Sequence, residues 1–474
     1  MPPTPPRLAA AAAATAATAA IGAAAIAAVA AAVGRPAPAA RRPARRRRCF
    51  LPALLAALGL SIHAGVASAT VCHGESVPAA TLLLPYFEVN LDDPNGLTTL
   101  FSVNNAAAAA VLAHVAIWSD LAVPLANFDV YLTGYDVQTI NLRDVVVYGN
   151  LPQTASAGQD PADVISPKGQ FSQDVDFAGC QGKLPPPPLS STELAHLQAA
   201  LTGRPSPVLG GRCAGQALGD NVARGYVTVD TVGSCTSSFP GDAGYFAANG
   251  AGDVTDQNVL WGAWNIVDAA HGFAEGSTMV AIEASGTDPA TSTPGHYTFY
   301  GRYDGWSAVD HRAPLSTTFA APYAVNGPFD GGTDLLVWRD PKVAQAPFTC
   351  PTVAGKTPSW YPLSTEGLVA FDEQEQESSY ECDFIDCPPA PIPFPAAAQR
   401  TSVGGAAFPV PFDFGWLYLD LNGPVAAAGA NPPPDPQAAQ AWVVMAQSSR
   451  AHFAVARDAL RLDSACTAQH FVPQ

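Results

Sequence analysis

Beyond residue 69, apolar positions come in short runs of β-branched and aromatic residues, separated by turns rich in Gly, Pro, Asn and Asp. The runs 97–104 (LTTLFSVN), 111–118 (VLAHVAIW), 128–133 (FDVYLT) and 225–232 (GYVTVDTV) predict strands in the first part of the chain. The runs 278–284 (TMVAIEA), 297–302 (YTFYGR), 333–338 (TDLLVW) and 415–421 (GWLYLDL) predict strands later on. Within 225–230, Val227 and Val229 point one way while Tyr226, Thr228 and Asp230 point the other, the alternation of a half-buried strand. One helix interrupts the series. Ser190-Ser191-Thr192-Glu193 forms a capping box, Leu194, Leu197 and Leu201 share a face, and Gly203 stands where a left-handed cap belongs. The stretch 435–445 also reads as a helix start, but its place in a repeat argues for a strand over 442–445.

That repeat consists of three blocks in the same order. Pro85-Tyr86, an acidic Gly turn and Thr99–Val103 parallel Pro322-Tyr323, Asp330-Gly331-Gly332 and Thr333–Val337. The run 225–230 parallels 415–420, and Trp261 with Phe273-Ala274 parallels Trp442 with Phe453-Ala454. A sheet with one apolar face needs a second sheet about 10 Å away to cover it. The pattern therefore predicts an all-β, mainly antiparallel protein of two tandem β-sandwich domains, 70–315 and 316–474. The helix belongs to a small insertion in the first. Trp261, Trp264, Trp416 and Trp442 are core candidates before they are ligand platforms.

The first 69 residues read as an address. An Ala-rich stretch leads to Arg41, Arg42 and Arg45–Arg48, then to an apolar run over 49–65, with Ala67 and Ala69 at the small-residue positions of a cleavage site. The apolar run, about 16 residues, is shorter than the roughly 20 needed to span a bilayer, so cleavage after Ala69 and export are expected. The leader holds eight of the 23 basic residues and no acid, which leaves 15 basic against 40 acidic residues, a net charge of −25. Such a surface repels nucleic acid and anionic membranes and favours basic partners or cations.

Eight cysteines remain outside the leader: Cys72, Cys180, Cys213, Cys235, Cys350, Cys382, Cys387 and Cys466. An even count in an exported chain points to disulfides, and no Cys-x-x-Cys pair supports zinc. They divide four and four between the two domains, and a Cys180–Cys213 bridge would close off the insertion. Catalytic motifs are broken. Gly355-Lys356-Thr357 has Cys350 where a P-loop needs Gly, and the run 305–309 (GWSAV) lacks the last Gly of a nucleophile elbow. His114, His271, His296, His311 and His452 are scattered singly. Glu283 in an apolar strand and Glu88 in an apolar stretch (PYFEV) are the candidates for a glycosidase-type carboxylate pair. Asp92, Asp93 and Asn95 place three side-chain oxygens in a tight Gly turn that suits calcium, the only cofactor the chain suggests. A second acid-dense stretch runs over 372–377 towards Glu381, Asp383 and Asp386.

Leu84-Pro85-Tyr86-Phe87, the Thr-rich strand to Asn104, the run 128–144 and an excess of Arg over Lys together resemble a group of uncharacterised secreted proteins. These come from high-GC bacteria and carry immunoglobulin-like β-sandwich domains. The resemblance implies fold and compartment, and no site residue transfers with it. The reading is an exported, non-enzymatic protein, secreted, periplasmic or extracellular, that binds an extracellular protein or glycan. The alternatives are a secreted hydrolase with a carboxylate pair, with glycans as one substrate class, and a structural envelope or matrix component.

Overall fold

Strands account for most of the regular secondary structure, and they pair antiparallel throughout. The structure, a computed structural model, describes residues 77–474 apart from 154–176, 178, 248–250, 328, 342–344, 352–366, 380–393, 423–439, 450–452 and 463–474. The leader, Cys72, Cys382, Cys387, Cys466, Lys356, His452, Glu381, Asp383 and Asp386 lie outside the described residues.

The first half contains β1 (Thr81–Asn90), β2 (Thr98–Asn105), β3 (Val111–Ser119), β4 (Pro124–Leu132), β5 (Val137–Asn141) and β6 (Val222–Val232). It continues with β7 (Leu260–Trp261), β8 (Ala263–Asp268), β9 (Phe273–Thr278) and β10 (Val280–Ile282). The second half contains β11 (Thr318–Ala324), β12 (Gly332–Arg339), β13 (Gly367–Phe371), β14 (Glu377–Ser379) and β15 (Ala398–Ser402). It ends with β16 (Phe414–Asp420), β17 (Ala441–Ser449), β18 (Phe453–Asp458) and β19 (Leu460–Arg461). Four short helices complete the described elements: α1 (Leu142–Val146), α2 (Ser191–Leu201), α3 (Pro289–Ser292) and α4 (Gly301–Asp304).

Four sheets result, and their strand orders match between halves. Sheet 1 runs β10-β1-β6-β3-β4 and sheet 3 runs β19-β11-β16-β13-β14. Sheet 2 runs β5-β2-β8-β9, with β7 also on β2, and sheet 4 runs β15-β12-β17-β18. The repeated sequence blocks fall at matching register positions except at Pro85-Tyr86, where β1 bulges and Phe87 rather than Tyr86 takes the place of Tyr323. Phe87 faces Gly225 as Tyr323 faces Gly415, and Thr81 faces Asp230 as Thr318 faces Asp420. Asn104 faces Trp261 as Trp338 faces Trp442. Val267 faces Ala274 as Ser448 faces Ala454.

Two details show why these residues recur. The Thr99 hydroxyl donates to the Glu88 carbonyl and accepts from the Glu88 N–H, stitching β2 to β1; Thr333 does the same to Ala324. A Cβ on Gly225 would lie 2.0 Å from the Trp118 carbonyl oxygen, and one on Gly415 1.7 Å from that of Phe371. Only glycine lets the neighbouring strand approach so closely.

The second half packs on the first through one face of sheet 4. Leu336, Trp338, Ala398 and Val444 join the core of the first half, with Trp338 edge-on to Tyr226 and stacked on Phe299. The inner residues of sheets 3 and 4, including Phe319, Leu335, Leu417 and Met445, form a separate cluster.

The strands at 97–104, 111–118, 225–232, 333–338, 415–421 and 442–445 form as expected, and so does the capped helix, with Gly203 at φ +67°. Three expectations are corrected. The run 297–302 is not a strand: it leads into α4, where Arg302 makes a buried pair with Asp340 at 2.7 Å. β6 is buried on both faces rather than one, because Tyr245, Tyr300 and Arg312 roof its polar side, and Asp230 accepts from both tyrosine hydroxyls. The bridge Cys180–Cys213 does not form; Cys180 pairs with Cys235 and Cys213 with Cys350. Cys180 belongs to a cluster with Leu112, Tyr131 and Tyr245, whereas Cys213 exchanges two 2.9 Å backbone hydrogen bonds with Phe348. The insertion is thus not closed by its own disulfide, and one bridge crosses from the first half to the second.

Candidate functional site

The turn proposed for calcium already holds a cation of the protein's own. Asp92, Asp93 and Asn95 are exposed between β1 and β2, with Asp92 accepting from Asn221 at 2.6 Å and Asp93 capping the Asn95 N–H. Under the turn, the buried Arg143 guanidinium donates to four carbonyls. Nη1 reaches Asn90 at 3.1 Å and Asp93 at 2.5 Å, and Nη2 reaches Gly96 at 2.9 Å and Leu97 at 2.8 Å. Arg143 sits at the start of α1, positioned by Asn141, whose side chain caps the Arg143 N–H. The planar fork suits convergent carbonyls. Its sequence signal is an Arg two residues after a capping Asn, in the run 140–147 (INLRDVVV). Among the described residues, no group of three or more His, Cys, Asp or Glu is arranged to hold a metal ion.

The two proposed carboxylates do not meet as a pair. Glu88 is buried on β1 and instead shares Arg400 with Glu275 of β9 and Asp334 of β12. Tyr86 donates to Glu88 at 2.9 Å and Arg224 approaches it at 3.4 Å. Burial raises the Glu275 carboxyl, and the charge of Arg400 opposes that rise. Glu283 is half-buried beside β10, its carbonyl accepting from Ala313.

Histidines are similarly engaged. His114 is fully buried, with Nδ1 2.7 Å from Asp129 and Nε2 3.0 Å from the Ser238 carbonyl oxygen. His196 of α2 lies 2.8 Å from the Ser206 hydroxyl, a pair the sequence did not suggest; both residues are buried, and desolvation lowers the imidazole pKa. His271 and His311 pair with Asp268 and Asp256, and His296 is exposed. A strained loop precedes His311, with positive φ at Trp306, Ala308 and His311. Asp304 holds it through the Ser307 and Val309 N–H groups. Burial, then the Asp304 charge, raises Asp310.

A solvent-open cavity of about 410 Å³ lies at one end of the second half. The β11–β12 loop lines it with Asn326, Asp330 and Gly331, and the turn after β15 with Gly404 and Gly405. Asp413 closes it, its carboxylate accepting from Asn326 at 2.5 Å and its carbonyl from the Val325 N–H. Asp330 accepts from Ser449 at 3.1 Å. The same end is strongly negative: the Tyr323 hydroxyl is pushed up to about 12 by burial and then by Asp372, Asp413 and Glu373. Nearby on sheet 3, Phe371 stacks on Trp416, and Phe414 is 52% exposed. Of the core candidates, Trp264 is buried, but Trp261 is 49% exposed and Trp416 and Trp442 are half-buried.

No family, curated protein or solved structure matches this chain. Among the described residues, no helix is long and apolar enough to cross a membrane.

Proposed function

We propose that this is an exported, non-enzymatic binding protein of two tandem immunoglobulin-like β-sandwich domains, acting outside the cell on a protein or glycan partner. The equal strand orders of the two halves support the tandem architecture, and the Cys180–Cys235 and Cys213–Cys350 bridges suit an oxidising compartment. The observation that carries the binding reading is how Glu88 and Glu275 are used. A carboxylate pair serves hydrolysis when a substrate reaches it and one member gives up its proton. Here both acids are spent on Arg400, under the face where sheet 4 meets the first half. The open cavity, by contrast, carries carboxylates and amides suited to recognition.

The test is to purify the exported protein with its disulfides intact, then assay glycan and peptide arrays for binding and for product. Binding without turnover is expected. Turnover that is lost in Glu275→Gln would replace this reading with the hydrolase one.

A further inference from the structure

The two halves can be compared position by position, and the comparison singles out the cavity. Gly225 and Gly415 correspond, so Ala223 corresponds to Asp413. Val89 faces Ala223, and the Val325 N–H donates to the Asp413 carbonyl, so Val89 corresponds to Val325 and Asn90 to Asn326. Thr99 and Thr333 correspond through their shared bridging role, which equates Gly96 with Asp330 and Leu97 with Gly331. Leu100 faces Asn141 as Asp334 faces Ser402. Counting two residues past the end of each strand equates Arg143 with Gly404.

Three of the four residues whose carbonyls receive the Arg143 guanidinium thus have counterparts lining the cavity: Asn326, Asp330 and Gly331. The counterpart of Arg143 itself also lines the cavity and is a glycine. The cavity is therefore lined by the counterparts of the residues that hold an arginine side chain in the first half. Two features of the second half go further than the first. Asp330 stands where the first half has Gly96, and Asp413 stands where it has the apolar Ala223. Both changes add negative charge to the lining of the cavity.

We propose that this cavity receives an arginine side chain presented by a basic partner, in the manner of the internal socket that Arg143 fills. This rests on the binding reading above and names the partner's chemistry. A guanidinium offers five donors in a rigid plane, which suits two carboxylates and nearby carbonyls better than an ammonium does. The net charge of −25 beyond the leader steers basic segments towards the protein.

The test is calorimetric titration of the exported protein with acetyl-Gly-Arg-Gly-amide, and with the same peptide carrying citrulline, which keeps the shape and lacks the charge. Saturable binding of the arginine peptide is expected, at least about tenfold tighter than the citrulline peptide and weakened by salt. Asp330→Asn combined with Asp413→Asn should weaken it by about tenfold or more without lowering the thermal midpoint. If that variant misfolds, methylguanidinium competition on the unaltered protein decides instead, and displacement of the peptide is expected. Equal affinity for both peptides, no saturable binding, an unaffected double variant or no displacement would each overturn the proposal. Array binding without arginine-peptide binding would remove the arginine socket alone. Turnover on the array would remove the binding reading itself.

Discussion

At the level of single residues, the chain's buried charges are held by partners far away in sequence. Asp120, at the end of β3, is one of them. Its carboxylate accepts from the Gln216 N–H, and its carbonyl accepts from the Ala397 and Ala398 N–H groups of the second half. Burial pushes its carboxyl up to about 7 from an ordinary 3.8. Between those values the folded chain keeps a proton that the unfolded chain has released. Asp120 therefore makes stability fall as pH rises from about 4 through 7, and the loss is complete above the folded value. The loss is on the order of 4 kcal/mol. Asp120→Asn should be the more stable protein at pH 8 and should narrow the gap between pH 5 and pH 8 in urea denaturation; an unchanged gap would discount Asp120 as its source. The sequence identified acids in apolar surroundings, such as Glu88, but could not say which cation they would meet. Arg400 lies 312 residues from Glu88, and Arg143 looked like any isolated arginine.

Individual strands and turns were far more legible. Alternation and β-branching placed β2, β3, β4, β6, β12, β16 and β17, because side-chain direction along a strand depends only on the residue's own backbone. The capped helix was equally local. The run 297–302 failed for a related reason: Thr298, Phe299 and Tyr300 look like strand residues, but Tyr300 donates to buried Asp230 and the Thr298 and Phe299 carbonyls accept from Gln440, which also donates to Asp340, and this tertiary demand overrode propensity. The repeated glycines give the clearest test at this scale. Gly225→Ala and Gly415→Ala should each cost about 3 kcal/mol or more, since the new Cβ would overlap a carbonyl of the adjacent strand. Gly233→Ala, whose Cβ would meet Thr255 at an ordinary 3.6 Å, should be close to neutral. Matching losses in the first pair, read from urea midpoints, would show that the two positions do the same work.

For the molecule as a whole, the link between halves combines a disulfide, an ion network and a shared core. Cys213–Cys350 closes a separation of 137 residues, so replacing both by Ser should cost about 4 kcal/mol by relaxing the unfolded chain. The check is equilibrium unfolding with tryptophan fluorescence, where a loss well under 1 kcal/mol would mean that packing around sheet 4 already supplies the link. By itself, the order of residues determined the antiparallel β character, the repeat and the helix, because periodicity and capping are short-range properties of the backbone. Only the tertiary structure decided which cysteines join, that β6 is covered on both sides, which cation fills the turn after β1, and where its counterpart leaves a cavity. Those outcomes depend on how sheets stack, and stacking brings together groups that no local pattern relates.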